Sequence, residues 1–447
     1  MDLARIIESN IASFKGSKTQ QNAAGVFVLK LVSTVFTFIA AILIARLAGS
    51  VGYGAYNFAM SWVAILSLVS LFGMHKLVVR EYARYQTESA HGFQRGILRR
   101  ADQLVLGLSI ILILTVWGLT DWIKVMFIEG DSELLINSLL VALPLLLILG
   151  LLRLRQASLE AKHQAFIGNL PEMLLSPLLL VLFLLAGWVI LNDQLSAYWA
   201  LGAKTIASLI SLIVVTWLRR NRLSEAVKQA EPKYETARWM SSAIPLLLIS
   251  GLYVVNANTD IIMLGFLDGA ESTGLYAAAS KGALLITFVM LAVNKTLSPN
   301  FAALYKNNEI EKLQSLVTHS VRVVSFVAIL LMIFLVSVGH WYLLVFGQEF
   351  VVAHLTLAIL CFGKVFSGIM GSVGHLLIMT GHERVAAWNV ALAVVVNIIL
   401  NYLLIPVYGI EGAAISSTVS FILVNLMQAV AVYKLVNINP TIFRMKS

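Results

Sequence analysis

A chain of 447 residues that is 59% apolar and 12% charged, with a mean hydropathy of +0.86, has more apolar surface than a water-soluble core can hide. Lipid accepts that surface directly, so the composition excludes an ordinary soluble enzyme or binding domain and points to an all-α integral membrane protein. The net charge of +9 would by itself suit nucleic acid, but the placement of the basic residues gives it another meaning.

Residues 1–23 are polar, so no cleavable signal is expected, and Leu3, Ile6, Ile7, Ile11 and Phe14 share one helical face, which reads either as a short interfacial helix or as an ordinary frayed tail. Runs long enough to cross a bilayer follow at 24–46, 55–73, 103–120, 134–152, 171–191, 197–218, 241–265, 272–297, 321–339, 351–373, 385–405 and 411–433, which makes twelve transmembrane helices. Alternate loops, beginning with the N-terminal tail, hold 26 of the 32 Lys and Arg residues, and the opposite loops hold two, Arg46 and Lys124. This positive-inside pattern places both termini in the cytoplasm and turns the basic balance into a topology signal and an attraction to the anionic bilayer, with no nucleic-acid partner.

The first cytoplasmic connection, Met74 to Asp102, alternates Leu77, Val78, Tyr82 and Tyr85 with Lys76, Arg80, Arg84 and Arg95, as in a solvated amphipathic helix on the inner surface. The most basic connection, Arg219 to Trp239, reads as a linker, giving an N-terminal lobe at 1–218, a linker at 219–239 and a C-terminal lobe at 240–447. An internal repeat supports that division. Gly54-Ala55-Tyr56 returns as Gly274-Leu275-Tyr276, Trp122 and Phe127 return as Trp341 and Phe346, and the break at Lys162-His163 returns as Gly381-His382, all at an offset of 219 or 220. Six helices per lobe make this a parallel repeat, and two such pseudo-symmetric lobes around a central lumen are the architecture of a transporter.

Charges inside spans are costly and mark wet cavities or partners. Lys30, Lys204, Lys281 and Lys364 are set against one carboxylate, Asp260, a balance that would suit an anion such as a phosphate or pyrophosphate. Lys30 lies about 9 Å from the cytoplasmic end of its helix, within snorkelling reach, whereas Lys364 is near mid-membrane. Polar stripes run through Lys30, Ser33, Thr34 and Thr37, and through Lys364, Ser367, Gly368, Gly371 and His375; Tyr253, Asn256 and Asp260 share a third face. Such stripes line a lumen or pack helix against helix, and the sequence leaves both open. Asp260 and Lys281 fall at comparable depth on adjacent spans, so an ion pair is expected, acting either as a static pin or as a gate that cargo competes for.

Positive signs of catalysis are missing. The eight histidines are scattered singly, Cys361 lies within a span, no group has metal-ligand spacing, no phosphate-binding Gly-Lys-Ser/Thr loop occurs, and no outer loop exceeds thirteen residues. The expectation is a protein that is not an enzyme and uses neither metal nor cofactor.

Asp260-Ile261-Ile262-Met263-Leu264-Gly265, followed by Gly274-Leu275-Tyr276-Ala277-Ala278-Ala279-Ser280-Lys281 and Pro299, resembles the start of the second lobe of polysaccharide flippases of the multidrug/oligosaccharidyl-lipid/polysaccharide superfamily. Tyr53-Gly54-Ala55-Tyr56 and Gly73 leading to Val79-Arg80-Glu81 are similar to that family's pattern in the first lobe. The resemblance implies a bacterial inner-membrane flippase that moves an undecaprenyl-pyrophosphate-linked oligosaccharide of O-antigen, capsule or exopolysaccharide synthesis to the periplasmic leaflet by alternating access. It implies a lumen lined mainly by helices 1, 2, 7 and 8, with a basic residue at about Lys281, and polysaccharide polymerase and chain-length machinery as candidate protein partners. The residues themselves offer Lys30, Lys204, Lys281, Lys364 and Asn256 as the lumen candidates and Asp260, Arg46, Arg80 and Glu81 for gating or coupling. Lipid II flippases carry an Arg-Asp pair where this chain has Ala40-Ala41. The alternatives are a multidrug cation antiporter of the same superfamily, which would want luminal carboxylates, and a glycan polymerase or ligase, which would want a large outer loop.

Overall fold

The computed structural model describes residues 18–125, 127, 132–191 and 195–441. The expected interfacial helix at Leu3 to Phe14 lies outside the described residues. Among those described, all regular structure is helical: α1 (Lys18–Leu71), α2 (Met74–Thr87), α3 (His91–Gly118), α4 (Thr120–Lys124), α5 (Ser132–Ala142), α6 (Pro144–Glu160), α7 (Ala165–Leu170), α8 (Ser176–Leu191), α9 (Ala197–Arg222) and α10 (Glu225–Gln229). After these come α11 (Thr236–Leu267), α12 (Gly269–Lys306), α13 (Ile310–Ser337), α14 (Gly339–Phe346), α15 (His354–Ile369), α16 (Val373–Met379) and α17 (Glu383–Val436).

Nine helices among the described residues are long and apolar enough to cross a membrane. The 54 residues of α1 would reach about 81 Å as one rod, far more than a bilayer needs, and the chain divides them at Gly49, whose φ of 69° is open to glycine at little cost. Gly409, with φ 52°, divides the 54 residues of α17 in the same way. With both arms of each divided helix counted, and the 38-residue α12 added, the helices accommodate twelve spans.

The chain forms two compact units. Of the described residues, the first contains those up to Leu47 together with Val63–Asp121 and Asn137–Ser250, and the second contains those in Ala48–Trp62, in Trp122–Ile136 and from Gly251 onward.

In the first unit the main core gathers Leu71, Leu77, Val78, Tyr82 and Tyr85 against Ile97, Val105, Leu154 and Trp239. The connection from Met74 was expected to be a solvated surface helix. Its polar face is indeed open at Lys76 and Arg80, but Leu77, Val78 and Tyr82 are fully buried inside protein and Tyr85 is 1% exposed. An apolar stripe on one side of a helix is read equally by lipid, by a surface and by a neighbouring helix, and Trp239 supplies the neighbour. Tyr85 donates to Glu235 Oε2 at 2.8 Å and accepts from Trp239 Nε1 at 3.0 Å. The basic linker is held as well: the Lys233 amide donates to the Gly92 carbonyl at 2.9 Å, and Arg95 donates to the Ala230 carbonyl at 2.8 Å.

In the second unit the sequence repeat reappears as geometry. Gly269, with φ 87°, stands 220 residues after Gly49, so both copies of the Gly-Tyr segment begin beside a left-handed turn. The repeat-related Gly54 and Gly274 then meet. A Cβ on Gly54 would overlap the Ala270 carbonyl, and one on Gly274 would overlap the Ser50 carbonyl, so two helix backbones cross with no side chain between them. Phe127 and Phe346 also repeat their role: Phe127 packs 4.6 Å from Phe266, and Phe346 packs 6.2 Å from Tyr53, between ring centroids. A second core joins Leu313, Val317 and Val321 to Val432, Val436 and Ile438.

Candidate functional site

The most heavily engineered polar group in the second unit is the Asp260 carboxylate, 7% exposed on α11. One oxygen, Oδ1, accepts from Asn397 Nδ2 at 3.0 Å and from Asn401 Nδ2 at 2.7 Å. Oδ2 accepts from the Tyr276 hydroxyl at 2.7 Å and from the Ser417 hydroxyl. Helical spacing explains the set: Asn397 and Asn401 are one turn apart on α17, and the left-handed break at Gly409 precedes the arm that carries Ser417. All four donors are buried, at 4% exposure or less. Neutral dipoles thus fill the sites an ionised carboxylate offers, which lowers the cost of its charge away from water without a direct salt bridge among the described residues. The Asn401 Oδ1, by contrast, is buried without a hydrogen-bond partner among the described residues.

This arrangement corrects the expected Asp260–Lys281 ion pair. Among the described residues Lys281 makes no salt bridge with Asp260, because Tyr276 is the α12 side chain that faces the carboxylate. Five residues of helix turn Lys281 about 140° away from Tyr276.

One turn before Asp260, Asn256 lines a cavity of about 420 Å³ together with Tyr253, His375, Phe421, Asn425 and Gln428. Lys364 shares its Phe421 wall, with Nζ 3.7 Å from the ring centroid, a distance at which the aromatic face attracts the ammonium. Asn425 donates to Ser367 Oγ at 2.9 Å, tying the wall to α15. The expected stripe from Lys364 to His375 is not one helical face, however. Helix α15 ends at Ile369, Gly371 turns the chain with φ 72°, and His375 belongs to the separate α16.

None of the remaining candidates is among the residues that line this cavity. In the first unit, Lys30 is exposed, and the hydroxyls beside it bond back to their own helix: Thr34 to the Lys30 carbonyl at 2.8 Å and Thr37 to the Ser33 carbonyl at 2.7 Å. Lys204 donates to Ser176 Oγ at 3.2 Å. Arg46 is exposed near the end of the first arm of α1. Glu81, 5% exposed on α2, is held by Arg80 and Arg84, each at 3.0 Å, and Arg84 lies 3.9 Å from Glu235 in the linker. Lys281 is half-buried on α12.

Sequence reasoning passed over Asn397, Asn401 and Ser417, and it read Tyr276 as part of a motif without a chemical role. A signal was present: two amides at i and i+4 inside the otherwise apolar run 385–405 require a polar partner in the membrane.

The family model described as "Polysaccharide biosynthesis protein" matches residues 20–305. The "Probable low-salt glycan biosynthesis flippase Agl15" of Haloferax volcanii is 26% identical over 230 residues, 50% of this chain and 48% of that protein. The "Capsular polysaccharide biosynthesis protein CapF" of Staphylococcus aureus is 28% identical over 180 residues, 40% of this chain and 45% of that one. The chain thus spans about half the length of these curated relatives. Two solved structures share the fold at 14% identity: an inward-facing multidrug-resistance MATE transporter (TM-score 0.76, covering 91% of this chain and 95% of that one) and the lipid II flippase MurJ in an inward closed conformation (TM-score 0.74, covering 92% and 87%).

Proposed function

Because the chain belongs to the polysaccharide biosynthesis protein family, whose model matches it from residue 20 to residue 305, we propose that it is a flippase for an undecaprenyl-pyrophosphate-linked oligosaccharide. The cargo is handed from the cytoplasmic to the periplasmic leaflet of a bacterial inner membrane by alternating access. The family match is the observation that carries this reading. The relatives' names support the glycan, and an all-helical membrane chain with a polar interior supports the transport.

In this mechanism Lys364, Lys281, Lys204 and Lys30 lower the cost of bringing a pyrophosphate through hydrocarbon, while Asn256 and the cavity beside it offer hydrogen bonds to sugar. Asp260 serves coupling. Its carboxylate is held by four neutral donors, so taking up a positive charge there would reorganise α11, α12 and α17 together. Arg46 and the Arg80–Glu81 pair serve gating in the first unit.

A multidrug antiporter is the second reading, favoured by the likeness to the MATE transporter. It would hold a cationic drug on a free carboxylate, whereas the lone pairs of Asp260 are already taken and lysines outnumber it within the spans.

The two separate in a deletion strain. A flippase leaves a lipid-linked oligosaccharide accumulating on the cytoplasmic side, restored to export by the wild-type chain and not by Lys281→Ala/Lys364→Ala at equal protein level. An unchanged lipid-linked pool together with raised sensitivity to cationic drugs would replace this reading with the antiporter.

A further inference from the structure

At the basic-loop ends of α3, α6 and α9, closed over by α10, the first unit contains a cavity of about 640 Å³ that the transport reading does not use. Six cations line it, Arg95, Arg99, Arg155, Arg219, Arg220 and Lys228, against a single carboxylate, Asp102. Asp102 is shared, bonded to Arg155 and 3.8 Å from Arg219. Those two side chains are only 14% and 12% exposed, and the Nε of each lacks a hydrogen-bond partner among the described residues. Arg99 and Arg220 are exposed and have no carboxylate partner among the described residues. Glu225 meets Lys228 at 2.8 Å, which leaves the wall still strongly positive.

A topology signal alone would not build this. Positive-inside sorting asks only for basic residues near helix ends, solvated and anywhere in the loop. The second half of the chain supplies an internal control. At the repeat offset of 219, Arg95, Arg99, Asp102, Arg155, Arg219 and Arg220 correspond to Gln314, Thr318, Val321, Gly374, Ile438 and Asn439. There most of that ground is filled. Val321 and Ile438 are core residues, and Gln314 is bonded through both ends of its amide to the Asn439 backbone, at 2.8 and 2.7 Å. The same helical frame under the same topological demand therefore holds apolar core and a closed amide at most of these positions in one half, with Gly374 bordering the separate cavity beside Asn256, and opens into a guanidinium-lined cavity in the other. Holding several half-buried cations around one carboxylate is costly unless an anion enters.

We propose that this cavity binds a group bearing two phosphates, either the headgroup of a bisphosphorylated lipid or a soluble diphosphate. Planar guanidinium forks match phosphate oxygens two at a time, and the five arginines lie on three different helices, so a single phosphate would leave part of the fork unused. Thr216, Leu98, Leu223 and Val227 complete the lining, and its apolar part suits an acyl-ester stem beside the charge. The proposal is independent of what the protein transports.

The test is binding by the purified full-length protein in neutral detergent. Inorganic pyrophosphate is titrated by calorimetry, and cardiolipin is followed by native mass spectrometry. Arg99→Gln/Arg220→Gln removes two exposed charges that hold no ion pair among the described residues, and it should weaken whichever probe binds by at least about tenfold, while Arg99→Lys/Arg220→Lys should recover most of the affinity. Pyrophosphate displaced by cardiolipin, or cardiolipin held alone, assigns the lipid source; pyrophosphate that cardiolipin does not displace assigns the soluble one. Wild-type protein that binds neither probe, or a Gln variant that binds as well as wild type, overturns the proposal.

Discussion

The side chain of Asp260 is the sharpest point for mutation, because four named neutral donors hydrogen-bond its carboxylate. Asn401→Ala should lower thermal stability, since a hydrogen bond to a charged group contributes about 1.5–3 kcal/mol. Asp260→Asn should abolish export while the protein still accumulates. The two changes act on one network, so their effects on stability should be non-additive by about 1 kcal/mol or more, measured as a double-mutant cycle of melting in detergent. Strict additivity would mean that the amide and the carboxylate do not share a bond. His75, at the start of α2, gives a pH signature. Burial, reinforced by the charges of Arg153 and Lys76, pushes its imidazole down from 6.5 to about 4. A depressed group contributes stability that is fully present above 6.5 and is lost as pH falls toward 4. Between pH 7.5 and pH 5 the wild-type chain should lose on the order of 2 kcal/mol from this residue alone, and His75→Asn should flatten the melting-temperature profile over that window. A profile unchanged by the substitution would show that His75 is not the group titrating.

At the scale of elements, close approach is the governing fact. Gly54 and Gly274 admit no Cβ, so alanine at either position must push the two helices apart. One separation relieves both clashes. Gly54→Ala and Gly274→Ala should each lower the melting temperature, and the double variant should be little worse than the poorer single one; independent, summed losses would mean that the helices do not cross there. These contacts also show what was legible in advance. The repeat offset was readable from Gly54 and Gly274, because a backbone crossing demands the smallest residue at both ends and leaves a mark in sequence. The stripe from Lys364 to His375 was misread because Gly371 looks the same inside a helix as at its end. Only the backbone's choice of φ 72° separates the cases. The Asp260–Lys281 pairing failed for a related reason: depth was inferable from position along the spans, but azimuth was not, and a 140° rotation decides whether two charges meet.

For the whole molecule, twelve apolar runs and their basic loops carried the fold class, since lipid constrains composition more tightly than water does. The polar cradle was less legible, because Asp260, Tyr276, Asn397 and Ser417 come from distant stretches that only tertiary packing joins. Orientation has a direct check. Cys361 is fully buried, so the native chain should give little background with a membrane-impermeant thiol reagent. In intact cells, Lys124→Cys should label, whereas Asn221→Cys and Asn307→Cys should label only after the membrane is opened. Labelling of Asn221→Cys from outside would reverse the orientation and the direction of transport with it.

The burial of Tyr85 beneath Trp239 also has a consequence in time. The two residues are 154 positions apart, and ribosomes add about 5–20 residues per second, so Tyr85 is made about 8–30 s before the indole that covers it. For that interval the aromatic face of α2 lacks its Trp239 cover, even at the point when the last membrane-crossing helix of the first repeat, which ends at Arg222, has been synthesised. The nascent first half is therefore a late-closing body whose completion waits on the join to the second. Whatever shelters Tyr82 and Tyr85 meanwhile, the bilayer surface or a chaperone, has to yield when residues 235–243 emerge.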